Sequence, residues 1–84
     1  MGSKNPGSVR DAAPSGDMVT DYDRAHLQLY IRLLDAHSAG ASHDEMCRLV
    51  LEIDPADDPV AAEKLLESHL ERARWMSSVG FRQI

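Results

Sequence analysis

Helix punctuation constrains this chain more than any other feature. Thr20, with Asp23 three residues on, has the form of a capping box in which Asp takes the place usually held by Glu or Gln. Ser42 with Glu45 is the full box. Asp58 stands as an N-cap immediately before Pro59, whose fixed φ and missing N–H suit the first helical position. The stops are equally plain. Gly40 and Gly80 sit where a left-handed C-cap belongs, and Asp54-Pro55-Ala56-Asp57-Asp58-Pro59 breaks one helix and restarts another. No segment alternates apolar and polar residues as a half-buried strand would. The expectation is an all-α, compact three-helix domain. Its first helix runs from residue 21 to about Ser38, its second opens at His43, and its third runs from Pro59 to Gly80. Phe81 is placed to touch Met76 in a Schellman cap.

With 84 residues there is room for one small domain. The chain divides near residue 20. Residues 1–20 hold Pro6, Pro14 and three glycines, with Val9, Met18 and Val19 as their sizeable apolar residues. Such a stretch cannot bury enough surface to offset its ordering entropy, so it reads as a disordered tail, its first few residues resembling an expression leader. Residues 21–84 form the domain.

Each helix has a face to account for. The first is apolar around most of its circumference, through Leu27, Leu29, Tyr30, Ile31, Leu33 and Leu34. Either it is the central helix, covered by the other two, or Leu29 and Leu33 await a partner chain. In the second helix Met46, Leu49, Val50 and Ile53 form a buried stripe at i, i+3, i+4 and i+7. Cys47 and Leu51 fall off that stripe, and either pack on the 54–59 connection or form a small exposed contact patch. In the third helix Ala62, Leu65, Leu66, Leu70, Ala73 and Met76 face the core. On its outer side Glu63, Glu67 and Glu71 recur at i+4 spacing, and Trp75 continues the row. Like charges at that spacing repel by a few tenths of a kcal/mol per pair. The row is therefore either a solvated face of mixed charge or an acidic strip with an aromatic anchor, beside Arg72 and Arg74. Trp and Arg are the residue types that most often carry interface energy.

Charge narrows the partners. The formal net charge is -5, which opposes generic binding to nucleic acid or to an anionic membrane surface. The distribution is more telling than the total. Residues 44–71 carry nine acids against Arg48 and Lys64, a net charge of -7, whereas residues 72–84 carry Arg72, Arg74 and Arg82 with no acid. Reactive chemistry is poorly represented. One cysteine gives no internal disulfide and fits a reducing cytoplasm. His26, His37, His43 and His69 have no metal-ligand spacing, and there is neither a phosphate-binding glycine loop nor a nucleophile elbow. No apolar run approaches a membrane span. The expectation is a cytoplasmic protein that is not an enzyme, with no cofactor, small-molecule substrate or membrane partner.

A helix, then Ala39-Gly40-Ala41-Ser42-His43-Asp44-Glu45-Met46, a turn and a longer third helix resembles a helix-turn-helix domain. Two features depart from that pattern: the connection 54–58 is long and acidic, and the third helix carries glutamates where a reader of DNA carries Arg, Asn, Gln or Ser. With Arg32-Leu33-Leu34-Asp35-Ala36 and the ending Arg72-Ala73-Arg74-Trp75-Met76, Val79-Gly80-Phe81-Arg82 and Ile84, residues 21–84 resemble a proteobacterial family of integrative and conjugative elements. That family was long catalogued as a domain of unknown function and is regarded as a variant helix-turn-helix. Some members are transcriptional activators that bind DNA through the domain, and others are small antiactivators that bind an activator and block it. The resemblance implies the second role. The partner would be a transcriptional activator of conjugative transfer, with a quorum-sensing regulator as a further target. Glu63, Glu67, Glu71 and Trp75, with Cys47 and Leu51 as an apolar neighbour and Arg72 and Arg74 beside them, are the candidate contact residues. The competing reading is a DNA-binding regulator whose phosphate contacts are Arg72, Arg74 and Arg82.

Overall fold

A computed structural model of the chain describes residues 12–79 and Arg82. It is all-helical, with no strand among the described residues. The Gly80 and Phe81 cap and the first eleven residues lie outside the described part.

The first expected helix is two. Thr20 caps α1 (Asp21–Ala25): its Oγ1 accepts from the Asp23 amide at 3.1 Å, and Asp23 Oδ2 accepts from the Thr20 amide at 2.9 Å. At His26 the backbone leaves helical geometry, with φ -117° and ψ 22°. The His26 amide donates to the carbonyls of both Tyr22 and Asp23, and its ring Nδ1 donates to Tyr22 O at 2.8 Å. The ring also stacks on Tyr22, 4.1 Å between centroids. His26 thus satisfies the last carbonyls of α1, as helix ends require, and α2 (Leu27–Ser38) starts on a new axis. Gly40 closes α2 at φ 86°, a left-handed conformation that costs glycine little, with Ala41 N donating back to Ala36 O at 3.0 Å.

Ser42 and Glu45 close their capping box in both directions around α3 (His43–Glu45). The helix then widens into a π turn (Met46–Val50), in which Leu51 N reaches Met46 O and Ile53 N reaches Cys47 O. Glu52 follows at φ 58°, a left-handed position usually filled by Gly. Each residue of a π turn advances less around the axis than in an α-helix. Met46, Cys47, Val50 and Leu51 therefore share the inner face, none more than 8% exposed, while Leu49 is 68% exposed. The expected stripe is corrected at Leu49; of the two readings of Cys47 and Leu51, the exposed contact patch is excluded, because both are packed in the core.

Asp58 Oδ1 accepts from the Ala61 amide and starts α4 (Pro59–Ser78). This helix packs along α2, and the short third helix closes the open end of the pair. Leu33, Leu66 and Leu70 join the buried face of the π turn in the main core. A second cluster, Val19, Tyr30, Ala73 and Met76, fills the other end. Leu33 is fully buried and Leu29 packs on the core, so α2 is central. Val19 comes from the stretch assigned to the tail. That stretch is corrected from residue 13 onward: Ala13 N donates to Ser68 Oγ at 3.1 Å, and residues 13–19 lie along α4 as a strap.

Candidate protein-interaction site

The i+4 spacing of Glu63, Glu67, Glu71 and Trp75 places them along one side of α4, with Trp75 also packed against the second core cluster. Glu67 and Glu71 are exposed; Glu63 is half-buried and pairs with His43, Nδ1 to Oε2 at 3.1 Å. A shallow depression of about 380 Å³ runs beside the row, with His37, His43, Leu70 and Arg74 as its far side. Arg74 is exposed and donates to His37 Nε2 at 3.3 Å. The structure therefore brings the three glutamates, Arg74 and the half-buried Trp75 to one continuous surface.

Arg72 is not part of that surface. It is 3% exposed, and its guanidinium makes a two-pronged contact with the fully buried Asp23: Nη2 to Oδ2 at 2.7 Å and Nε to Oδ1 at 3.0 Å. Two further N–H groups go to main-chain carbonyls of the strap, Nη1 to Gly16 O at 2.6 Å and Nη2 to Met18 O at 2.8 Å. The guanidinium carbon lies over the Trp75 ring, 3.9 Å from its centre. Arg72 is therefore corrected from contact residue to clamp: a charge taken out of water persists where each of its three nitrogens finds an acceptor. It also positions Trp75. One face of that ring lies against a buried cation, and the half-buried ring also packs on the second core cluster.

The carboxylate of Asp23 is the centre of this network. Besides Arg72 it accepts from the Tyr30 hydroxyl at 2.7 Å and from Thr20. Burial alone raises its pKa, but Arg72, the Thr20 amide and the Tyr30 hydroxyl outweigh that effect and hold it at about 2. Burial and the Asp23 hydrogen bond push the Tyr30 hydroxyl well above its ordinary range. Next to it, fully buried His69 donates from Nδ1 to Leu65 O at 2.7 Å, which leaves Nε2 to accept from Tyr22. The sequence holds one local signal for this network: an Asp, in place of Glu or Gln, at the third position of the Thr20 box.

Asp23 gives an acid dependence of known sign. Its folded pKa lies below the ordinary carboxylate value, so its contribution to stability is complete above about pH 4 and is lost as the pH falls through about 2. The amount is on the order of 2 kcal/mol, since each tenfold change in proton affinity is worth a little over 1 kcal/mol. Urea midpoints measured from about pH 5 down to about pH 2 should fall steeply in the native chain and less so in Asp23→Asn. Parallel slopes would remove Asp23 from the account.

Cys47 is inert for a physical reason. Burial, with Asp44 and Glu63 nearby, pushes its thiol up and away from the thiolate. Among the described residues no three His, Cys, Asp or Glu side chains gather as a metal site would need, and no helix is long and apolar enough to cross a membrane. What the α4 surface offers is a carboxylate strip, one anchored aromatic ring and a single flanking arginine, a combination suited to recognising a basic surface. No protein family's model matches the chain, and no curated protein matches it either.

Proposed function

We propose that the chain is a non-enzymatic antiactivator. It binds a transcriptional activator, with a quorum-sensing regulator as a second target, and so holds back excision and transfer of a conjugative element. The observation that carries this reading is the α4 surface, where Glu67 and Glu71 stand exposed beside an anchored Trp75. A fold whose relatives by resemblance face DNA with this helix presents carboxylates there instead. Against phosphates such a strip is repulsive; against the basic DNA-binding or oligomerising surface of an activator it is complementary. The burial of Arg72 also leaves Arg74 and Arg82 as the exposed bases of the C-terminal part, a thin footing for a duplex.

The test is the triple substitution Glu63→Gln, Glu67→Gln and Glu71→Gln. Affinity for the activator of the same element should fall about tenfold or more, with a shallower salt dependence and unchanged helicity, since rim charges act through long-range attraction. Unchanged affinity and salt dependence in that variant would sink the acidic-surface reading. A gel shift at low salt with the element's operator region addresses the competing class: specific binding by this chain alone would favour a DNA-binding regulator.

A further inference from the structure

A second surface lies on a different side of α4. Ala61, Leu65, Ser68 and Arg72 recur at i, i+4, i+7 and i+11 and so share one side of the helix, whereas Glu63 and Glu67, two residues from Leu65, do not. The C-terminal half of this track is occupied. Ser68 takes the Ala13 amide and Arg72 takes the carbonyls of Gly16 and Met18. The N-terminal half opens into a groove of about 570 Å³ between α4 and the connection that precedes it.

The groove has an apolar floor and an acidic rim. Ile53 and Leu65 are half-buried in the floor, and Ala61 is exposed at its entrance. Glu52, Asp54, Asp57 and Asp58 form the rim, with Lys64 as the cation among its lining residues. Two of these carboxylates are already engaged: Asp54 with Arg48 at 3.4 Å, and Asp58 as the cap of α4. Glu52 and Asp57 have no ion-pair partner among the described residues.

We propose that this groove docks a basic segment of a protein partner, its large apolar side chain on Ile53 and Leu65 and its lysines or arginines against Glu52 and Asp57. The charge identifies the occupant. Glu52 and Asp57, beside an apolar floor and with the rim's acids only partly offset by Arg48 and Lys64, repel nucleic acid and acidic peptides and attract a cationic amphipathic chain. The strap on the adjoining half of the track is a polypeptide seated on the same side of the same helix, so α4 already accepts a chain there. The inference rests on the reading of this protein as an interaction module, but not on the Glu63, Glu67 and Glu71 row.

Amide NMR spectra of the isotope-labelled full chain test it, with a synthetic lysine–leucine peptide of amphipathic helical pattern as probe and its glutamate–leucine counterpart as control. The lysine peptide should bind saturably and more tightly at low salt, shifting Ile53, Ala61 and Leu65 most. Ala61→Arg, which sets a cation at the exposed entrance, should weaken binding about tenfold, equivalent to 1.4 kcal/mol, and so should Glu52→Gln combined with Asp57→Asn. Shifts centred on Glu67, Glu71 and Trp75, an equal response to the glutamate peptide, or no saturable binding would each overturn the proposal. Lys4→Gln with Arg10→Gln provides the remaining arm. If it moves the Ile53 and Leu65 amides in the peptide-free protein, the occupant is the chain's own N-terminal segment and the partner assignment fails. Ala61→Arg leaves the glutamate row intact, and the triple Gln variant leaves the groove intact, so the failure of either surface is read separately.

Discussion

Arg72→Met should cost about 3–5 kcal/mol, the range found when one member of a buried ion pair is removed. Asp23 is fully buried and Arg72 nearly so. Without the guanidinium the carboxylate keeps the Tyr30 hydroxyl and Thr20 but loses its counter-charge in a site water does not reach. At roughly 0.05–0.15 kcal/mol per residue, a chain this short has little more stability than that to lose. Urea unfolding followed by circular dichroism at neutral pH measures the change. Arg74→Met, at an exposed site on the same helix, should stay within about 0.5 kcal/mol. The diagnostic is the double variant: Asp23→Asn with Arg72→Met should be less destabilised than Arg72→Met alone, because no orphan charge remains. If Arg72→Met falls within about 1 kcal/mol of the native chain, the clamp is not what holds this end of the domain. The Ala13 amide should also lose protection from exchange in that variant, since the strap loses two of its fixed points.

The second large effect separates two windings of the same residues. Leu51→Ala should cost about 2–4 kcal/mol, as deletions of buried leucine side chains do, whereas Leu49→Ala should change stability by less than about 0.5 kcal/mol. The π turn sets this order, with Leu51 4% and Leu49 68% exposed. A stripe of Met46, Leu49, Val50 and Ile53 would reverse it, so equal or inverted costs would show that the segment is wound otherwise in solution. Thermal melts of the two variants suffice.

These two cases also show what could and could not be read from residue order. The caps were legible because each is a local contract: Thr20 with Asp23, Ser42 with Glu45, and Asp58 with Pro59 act within three residues of chain, and all three starts stand where the spacing puts them. Gly40 is legible for the same reason. The break at His26 is not, because a histidine side chain that closes its own helix leaves no change in the apolar period. Nor is the π turn, since apolar residues at 46, 47, 49, 50, 51 and 53 permit more than one buried face. The Asp23–Arg72 pair joins residues 49 apart, a distance no periodicity reaches. For the candidate site, the spacing of the three glutamates and Trp75 was enough to place them on one side of α4. The demotion of Cys47, Leu51 and Arg72 to interior roles needed the tertiary structure.

The strap is recognised through its backbone. Arg72 grips the carbonyls of Gly16 and Met18, and Ser68 takes the amide of Ala13, groups that every non-proline residue supplies. Most side chains between Ala13 and Met18 can therefore drift without loosening the grip, while an insertion or deletion there would pull the carbonyls out of register. In a set of relatives such a stretch would look variable in letters yet fixed in length, and its covarying positions would be the distant pair of Asp23 and Arg72. A comparison that scores identity alone would trim the strap away as linker, and a protein shortened to Thr20 on that advice would leave two guanidinium donors to water and the buried Asp23 pair open to solvent.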